Sequence, residues 1–139
     1  MTSYIAHTSV DCDNAYQLSE WWKQVLEYVD MPGDPNEAGH QECWIQRPDG
    51  GHPVLFIEVP EPKSVKNRIH FDLRPNAGTR DQEVERVLGL GATQVADHRG
   101  IHGPGTGWVV LADPEGNEFC ILRSDEEHDA TAAPNGGTS

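Results

Sequence analysis

The sequence predicts an α+β fold built from two consecutive β-α-β-β-β modules, and three observations lead to this prediction. Two segments carry the apolar spacing of amphipathic helices, and each lies between short segments in which polar and apolar residues alternate. The turns Arg-Pro-Asp-Gly at residues 47–50 and Asp-Pro-Glu-Gly at residues 113–116 fall at matching places. One histidine in each half, His7 and His70, stands in the first predicted strand. Such a repeat indicates a duplicated structural unit.

Composition limits the classes of protein to which the chain can belong. With 139 residues it is long enough for one domain with its own core, which we expect over residues 1–123. A formal net charge of −13 would be repelled by nucleic acid and by anionic membranes, so neither is expected as a partner. Three cysteines without short-range spacing predict neither a disulfide framework nor a structural zinc site. Because no long apolar segment is present, we expect a cytoplasmic protein.

The first half begins with a predicted strand at residues 4–11, followed by a helix at residues 15–29. Large apolar residues recur in this helix at steps of three and four, which is typical of one buried stripe. Asp13 or Asn14 can cap it, and Pro32 ends it. The adjacent pair Trp21 and Trp22 is interpreted as core packing.

Two further strands, at residues 42–47 and 54–59, complete the first half as a hairpin. The turn between them contains Pro48 and Gly50, residue types that favour turn conformations. Pro60 and Pro62 cannot continue a hydrogen-bonded strand ladder and form a linker to the second half.

The second half opens with a predicted strand at residues 66–73, in which polar and apolar side chains alternate. Period-two alternation places Arg68, His70 and Asp72 on one face and their apolar neighbours on the other. One interpretation is a cavity wall that contacts a ligand. The other is a structural ion pair between Arg68 and Asp72, with His70 as a hydrogen-bonded neighbour.

The remaining elements follow the same order as in the first half. A helix is predicted at residues 81–90 and strands at residues 92–96, 108–112 and 118–123. The glycine-rich loop at residues 98–107 is interpreted as a mobile lid. Residues 124–139 are acidic and then rich in Ala, Pro, Asn and Gly, so they are predicted to form a disordered tail. Deletion of residues 125–139 is accordingly expected to leave thermal stability unchanged. The two modules are assigned to residues 3–60 and 66–123.

These motifs together resemble a known superfamily. The tandem repeat, the sequence Asp-Pro-Glu-Gly-Asn-Glu-Phe-Cys at residues 113–120 and Lys-Asn-Arg-Ile-His-Phe-Asp-Leu at residues 66–73 are similar to the vicinal oxygen chelate superfamily. That superfamily includes glyoxalase I, extradiol dioxygenases and bleomycin-resistance proteins, and the closest similarity is to its glyoxalase-like subgroup. The resemblance implies strongly curved mixed sheets that form a cavity, helices on the outside, and a homodimer or tightly paired modules.

The resemblance also implies a set of metal ligands on four strands. Carried over to this sequence, the ligands are His7, Glu58 and His70, although the fourth strand leaves Val54 and Phe56 as alternatives to Glu58. At the eighth-strand position, where the family normally has Glu, this chain has Cys120, and Glu118 lies two residues earlier on the same face. Cys120 is either a soft ligand for zinc or a small buried apolar residue.

Two functions remain open at this point. One is a lyase, isomerase or oxygenase in which a divalent Zn, Ni, Mn or Fe ion polarises vicinal oxygens, with Glu58 or Glu118 moving the proton. The other is a metal-free protein of the bleomycin-resistance type that sequesters a small molecule, and acidic surroundings would favour a cationic one. In either case the candidate ligand-binding residues are Trp44, Phe56, Arg68, Asp72, Trp108 and Cys120.

Overall fold

The computed structural model describes residues 1–131, which form an α+β fold as predicted. The chain divides into two compact units, Met1–Ser64 and Val65–Ser139. Each unit contains one mixed four-stranded sheet. No helix within residues 1–131 has the length and apolar character needed to cross a membrane.

The first unit forms its sheet in the order β1-β4-β3-β2. Strand β1 pairs with β4 in parallel, and the β3–β4 and β2–β3 pairs are antiparallel. The elements are β1 (Thr8–Cys12), α1 (Ala15–Leu26), β2 (Val29–Asp30), β3 (Glu42–Gln46) and β4 (Val54–Glu58).

The second unit repeats this topology with the order β5-β8-β7-β6. Strand β5 pairs with β8 in parallel, and the other two pairs are antiparallel. The elements are β5 (Phe71–Leu73), α2 (Arg80–Gly89), β6 (Thr93–Asp97), β7 (Val109–Ala112), β8 (Glu118–Ile121) and α3 (Asp125–Thr131). The predicted duplication is therefore confirmed.

Helix α1 begins and ends with recognisable local signals. The Asn14 side chain accepts a hydrogen bond from the Gln17 N–H (3.0 Å), which satisfies one of the free donors of the first turn. Glu27 follows the helix in the left-handed conformation (φ 55°) and stops it at Leu26, earlier than predicted. Both Trp21 and Trp22 are buried, so the prediction of core packing is confirmed.

Helix α2 is fixed at its start by a capping box. The Thr79 side chain accepts from the Gln82 N–H, and the Gln82 side chain accepts from the Thr79 N–H. Its inner residues Val84 and Val87 are fully buried. The apolar stripe of the sequence therefore sets which side of α2 faces the core.

Each sheet has two chemically different faces. The helix-packed face of unit one carries Cys43, Ile45 and Phe56, and that of unit two carries Val109, Leu111, Phe119 and Ile121; all of these are fully buried. Because side chains alternate along strands, Trp44 and Leu55 lie on the other face of unit one, and Asp72, Val110 and Cys120 on the other face of unit two. In each unit, we call the sheet face that does not pack against the helix the helix-free face.

Two predicted strands are shorter in the structure than in the sequence pattern. The strand predicted at residues 66–73 contains only Phe71–Leu73, and Ile69, expected on its apolar face, is 87% exposed. The strand predicted from residue 4 begins at Thr8, and Ile5 before it is exposed. In both cases the polar–apolar alternation of the sequence extends beyond the residues that form backbone hydrogen bonds to a neighbouring strand.

The predicted disordered tail differs from the structure over its first part. Asp125–Thr131 form helix α3, in which the Ser124 hydroxyl accepts from the Glu127 N–H at 3.1 Å. Ser124 is a favourable helix cap, a signal that the acidic composition concealed. The rest of the predicted tail, residues 132–139, lies outside the described residues.

Candidate functional site

In unit one, His7 and Trp44 meet on the helix-free face. Their ring centroids lie 4.6 Å apart with an interplanar angle of 64°. The Asn36 side-chain amide donates to the Trp44 carbonyl oxygen (2.8 Å) and to Asp30 (2.9 Å), which fixes the backbone of β3 at this point. Trp44 is half-buried, so part of its ring surface is accessible.

Glu58 and Phe56 lie on the opposite, helix-packed face. The Glu58 Oε2 atom accepts from the Ala15 N–H (3.1 Å) at the start of α1, where a negative charge stabilises the helix. Phe56 has no exposed surface. The structure therefore does not bring either residue together with His7, and Phe56 has no exposed surface with which to contact a ligand.

The alternative ligand position on the fourth strand lies on this face as well. Val54 has the same parity along β4 as Phe56 and Glu58, so it also lies on the helix-packed face. On the helix-free face β4 presents Leu55 and Ile57, which offer no ligand atom. Strand β4 thus places no carboxylate beside His7.

In unit two, the structure gathers His70, Asp72 and Cys120 into one cluster. One possible ligand atom from each lies within 4.8 Å of the others. Asp72 and Cys120 are partners on the parallel strands β5 and β8, which puts them side by side on the helix-free face. His70 Nδ1 lies 3.3 Å from Asp72 Oδ1. Arg68 is exposed, and Asp72 pairs with His70 and not with Arg68.

Sequence reasoning named all three residues but did not group them as one ligand set. Alternation along the strand relates His70 to Asp72, and the eighth-strand position singles out Cys120. The missing information was the register between β5 and β8, which no local pattern encodes.

The Cys120 thiol is held in its protonated form. Burial raises its pKa to about 12, and the neighbouring Asp72 carboxylate contributes to the rise. Cys120 is 5% exposed. Because the thiolate is the nucleophilic form of cysteine, Cys120 is unsuited to nucleophilic catalysis at neutral pH.

Glu118 is engaged by residues that precede β5. Its side chain forms a hydrogen-bonded ion pair with Lys66 Nζ, and its backbone N–H donates to the Asn67 side-chain oxygen at 2.9 Å. Glu118 lies on the helix-free face, two residues from Cys120. The Glu118 carboxylate and the Cys120 thiol thus share one face of β8.

Trp108 presents an aromatic surface beside two imidazoles. Its ring centroid lies 4.9 Å from that of His98 and 6.4 Å from that of His102, with interplanar angles of 37° and 33°. Trp108 has the parity of Val110, which places it on the helix-free face, and it is half-buried. The sequence identified Trp108 but gave no signal for this grouping, because it depends on how the loop at residues 98–107 folds back.

Comparison with known proteins identifies the family. A family model described as a glyoxalase-like domain matches residues 7–122. The chain belongs to this family. The resemblance to the vicinal oxygen chelate superfamily is thereby confirmed. A search of curated protein sequences found no match to this chain.

Solved structures of similar fold include two fosfomycin resistance proteins and an oxidase. A FosX mutant from Listeria monocytogenes, complexed with Mn(II) and 1S,2S-dihydroxypropylphosphonic acid, is 14% identical with a TM-score of 0.64; the match covers 94% of this chain and 98% of that one. FosX from Mesorhizobium loti is 14% identical (TM-score 0.63, covering 94% and 99%). Oxidase ChaP-H2 is 17% identical (TM-score 0.58, covering 88% and 94%). At these identities the likeness establishes the fold.

Proposed function

We propose that this glyoxalase-like protein binds a small organic molecule on the helix-free face of unit two without a metal. The observation that carries the proposal is the half-buried Trp108, which lies on the same sheet face as Asp72 and Cys120. A half-buried indole on the same sheet face as a carboxylate and apolar atoms suits a planar ligand with a polar group.

The charges of this surface favour a cationic ligand. Glu118 is already paired with Lys66, whereas the Asp72 side chain is about half exposed and shares its carboxylate with a neighbouring imidazole. The chain as a whole carries a formal charge of −13, which attracts cations to its surface. We therefore infer a planar aromatic amine as the ligand class.

A panel of planar compounds tests this proposal. Aromatic amines and matched neutral and carboxylate analogues are screened by saturation-transfer NMR, and the best one is titrated by calorimetry. Replacing Trp108 by Ala is expected to weaken binding about five- to 150-fold, given the roughly 1–3 kcal/mol typical of aromatic stacking on a planar ring. Tyr28→Ala is the control, because Tyr28 is a half-buried aromatic residue in the other unit. Absence of binding by every compound at millimolar concentration would remove the proposal.

A second candidate function is metal-dependent catalysis, which the cluster of His70, Asp72 and Cys120 favours. Imidazole, carboxylate and thiolate together suit zinc better than manganese, since thiolates select softer metals. A bound metal would supply Lewis-acid polarisation of adjacent substrate oxygens, as in a lyase, isomerase or oxygenase. In this chain the Glu118 carboxylate, on the same face, would accept the substrate proton.

Elemental analysis and calorimetry distinguish the two candidates. Protein purified without chelator is analysed for transition metals, and Zn²⁺, Ni²⁺, Mn²⁺ and Fe²⁺ are titrated into the wild type, His70→Ala and Cys120→Ser. The catalytic candidate predicts a stoichiometric metal, loss of affinity in both variants, and affinity that rises with pH because the ligands must lose protons. His7→Ala shows whether unit one contributes a ligand. Metal binding no tighter than millimolar favours the metal-free protein.

We also propose that the chain forms a homodimer, as the resemblance implies. Several large apolar side chains are exposed, among them Tyr4, Ile5, Val65 and Ile69, and association of two copies would remove such surface from water. Light scattering coupled to size-exclusion chromatography gives the mass directly. A mass equal to that of one 15.4 kDa chain over the micromolar range would contradict the proposal.

A further inference from the structure

One buried guanidinium fixes the backbone that leads into Trp108. Arg80, at the start of α2, is 6% exposed. Its Nη1 donates to the carbonyl oxygens of Thr106 (2.7 Å) and Gly107 (3.0 Å), the two residues directly before Trp108. Its Nε donates to Asp81 at 3.0 Å. Charge-assisted hydrogen bonds from a buried guanidinium to two backbone carbonyl oxygens strongly restrict the movement of that part of the loop.

The loop at residues 98–107 transmits this constraint to the indole. The His98 N–H donates to the Trp108 carbonyl oxygen (2.9 Å), and the Gly100 N–H donates to the Thr106 carbonyl oxygen (2.7 Å), so the two arms are bonded to each other. Gly107 has φ +89°, and a Cβ there would lie 1.9 Å from the His98 carbonyl oxygen. The arms are in such close contact that moving Thr106 and Gly107 must move Trp108 and His98 together.

Helix α3 is hydrogen-bonded to the backbone of Arg80. The Glu127 carboxylate accepts from the backbone N–H of Arg80 (2.6 Å) and from that of Ser124 (2.9 Å). The same helix also approaches the loop, since a Cβ on Gly105 would lie 3.2 Å from the Thr131 methyl group. Helix α3 therefore contacts both Arg80 and the loop that Arg80 binds.

We infer that Arg80 is a positioning residue for Trp108, and that α3 supports it through Glu127. The inference rests on the proposed function in one respect, namely that Trp108 is the ligand-stacking surface. Arginine suits this role because its planar, always charged group donates in several fixed directions at once. A lysine at the same place keeps the charge but cannot bond the two carbonyl oxygens and Asp81 with the same geometry.

Fluorine NMR on protein labelled with 5-fluorotryptophan tests the inference without any ligand. The chain has four tryptophans, and the Trp108 resonance is assigned by its absence in Trp108→Phe. Arg80→Lys is expected to shift or broaden this resonance and to leave the other three in place. Arg86→Lys is the matched control, because Arg86 lies on the same helix but pairs with Glu83 at the surface. Glu127→Gln is expected to move the same resonance by less, and it replaces Arg80→Lys if that variant does not fold.

The outcomes separate this inference from the proposed function. An unchanged Trp108 resonance, or equal movement of all four, overturns the positioning role, since the second result means a general change of structure. If the resonance moves but no compound of the panel binds to the wild type, the proposed function fails and the positioning role stands. If a ligand is found, Arg80→Lys is expected to weaken it about two- to tenfold, the effect of one hydrogen bond made less well.

Discussion

At the level of single residues, Gly107 is a position where the backbone leaves no room for a side chain. Its φ of +89° disfavours any L side chain, and an added Cβ would lie 1.9 Å from the His98 carbonyl oxygen. We expect Gly107→Ala to lower the free energy of unfolding by at least about 2 kcal/mol, since conformational strain and a backbone clash add.

Gly100→Ala is the matched control for this substitution. Gly100 lies in the same loop with φ +77°, but the nearest atom to its added Cβ is 3.8 Å away. Only the strain of about 1 kcal/mol should remain there. Urea denaturation of both variants measures the difference, and equal losses would mean that the close approach of the loop arms contributes nothing.

Cys120 gives a second test at this scale, through its reactivity. Burial and the adjacent Asp72 carboxylate raise its thiol pKa to about 12, so the thiolate is scarce at pH 8. Alkylation by iodoacetamide, followed at the Cys120 peptide by mass spectrometry, is expected to be slow in the folded protein. Asp72→Asn removes a negative charge, lowers the pKa and should accelerate alkylation. Asp11→Asn, a change in the other unit, should leave the rate unchanged.

The alternation of side chains along a strand explains which site residues could be predicted from the sequence. Asp72 lies two positions from His70, so alternation alone placed both on one face, and the cluster confirms that placement. Glu58 was assigned to a ligand position through the resemblance, but its parity on β4 is that of the buried Phe56. The sequence shows that β4 is apolar at nearly every position, and such a strand does not reveal which face packs against the helix.

At the level of elements, Glu58 links β4 to α1. Its carboxylate accepts from the Ala15 N–H, so it acts on the first turn of the helix. We expect Glu58→Ala to lower stability by about 1 kcal/mol, the usual effect of losing a helix cap, and Glu58→Gln to lower it less because an amide oxygen still accepts. Thermal unfolding measures both, with the exposed linker variant Glu61→Ala as control. A large loss of ligand or metal affinity in Glu58→Gln at unchanged stability would instead make Glu58 a site residue.

Helix α3 supplies the next test at the element scale. Glu127 bonds two backbone donors, and the Thr131 hydroxyl bonds the buried Arg123 side chain. We expect a chain that ends at Ser124 to melt several degrees lower than the full chain, contrary to the prediction from composition. A chain that ends at Thr131 is the control, because none of these bonds involves residues 132–139. Equal melting temperatures for all three chains would mean that α3 adds no stability.

Strand ends were the least predictable feature of the elements. Alternation extends from residue 66, yet β5 begins at Phe71, where pairing with Phe119 begins. Before that point the chain is held by Lys66 and Asn67, which bond Glu118 through side chains instead of a backbone ladder. The length of a strand depends on where its partner strand lies. A local sequence pattern does not contain the position of the partner strand, so it cannot predict where the strand begins.

At the level of the whole molecule, the repeat was the most informative feature of the sequence. Matching turns at residues 47–50 and 113–116 connect β3 to β4 and β7 to β8, and the two sheets have the same strand order. Turn chemistry and helix periodicity are local, so they were readable without a structure. The ligand was not readable in this way, because it depends on side chains that the fold brings together from distant positions.

The acidic charge of the whole molecule leads to the last prediction, a stability that rises and then falls on acidification. Mutual repulsion of the net charge of −13 opposes the compact state at pH 7, and it weakens as the pH approaches the pI of about 4.7. Added salt should therefore raise the melting temperature at pH 7 more than at pH 5.

Below pH 4 the sign reverses because of carboxylates that the fold keeps ionised. Hydrogen bonds from the Arg99 side chain and backbone lower the pKa of Asp97 to about 2. The pKa of Asp81 is also lowered, since hydrogen bonds from Arg80 and Arg99 outweigh the opposing effect of burial. A folded pKa below the unfolded value of about 4 stabilises the protein above pH 4, and this stabilisation is lost as the pH falls from 4 towards 2. Asp97→Asn should flatten the dependence of the unfolding free energy on pH between pH 4 and pH 2, measured by urea denaturation. The control Glu61→Gln should leave this dependence unchanged. Parallel curves for the wild type and Asp97→Asn would show that the pair of Asp97 and Arg99 does not contribute to acid unfolding.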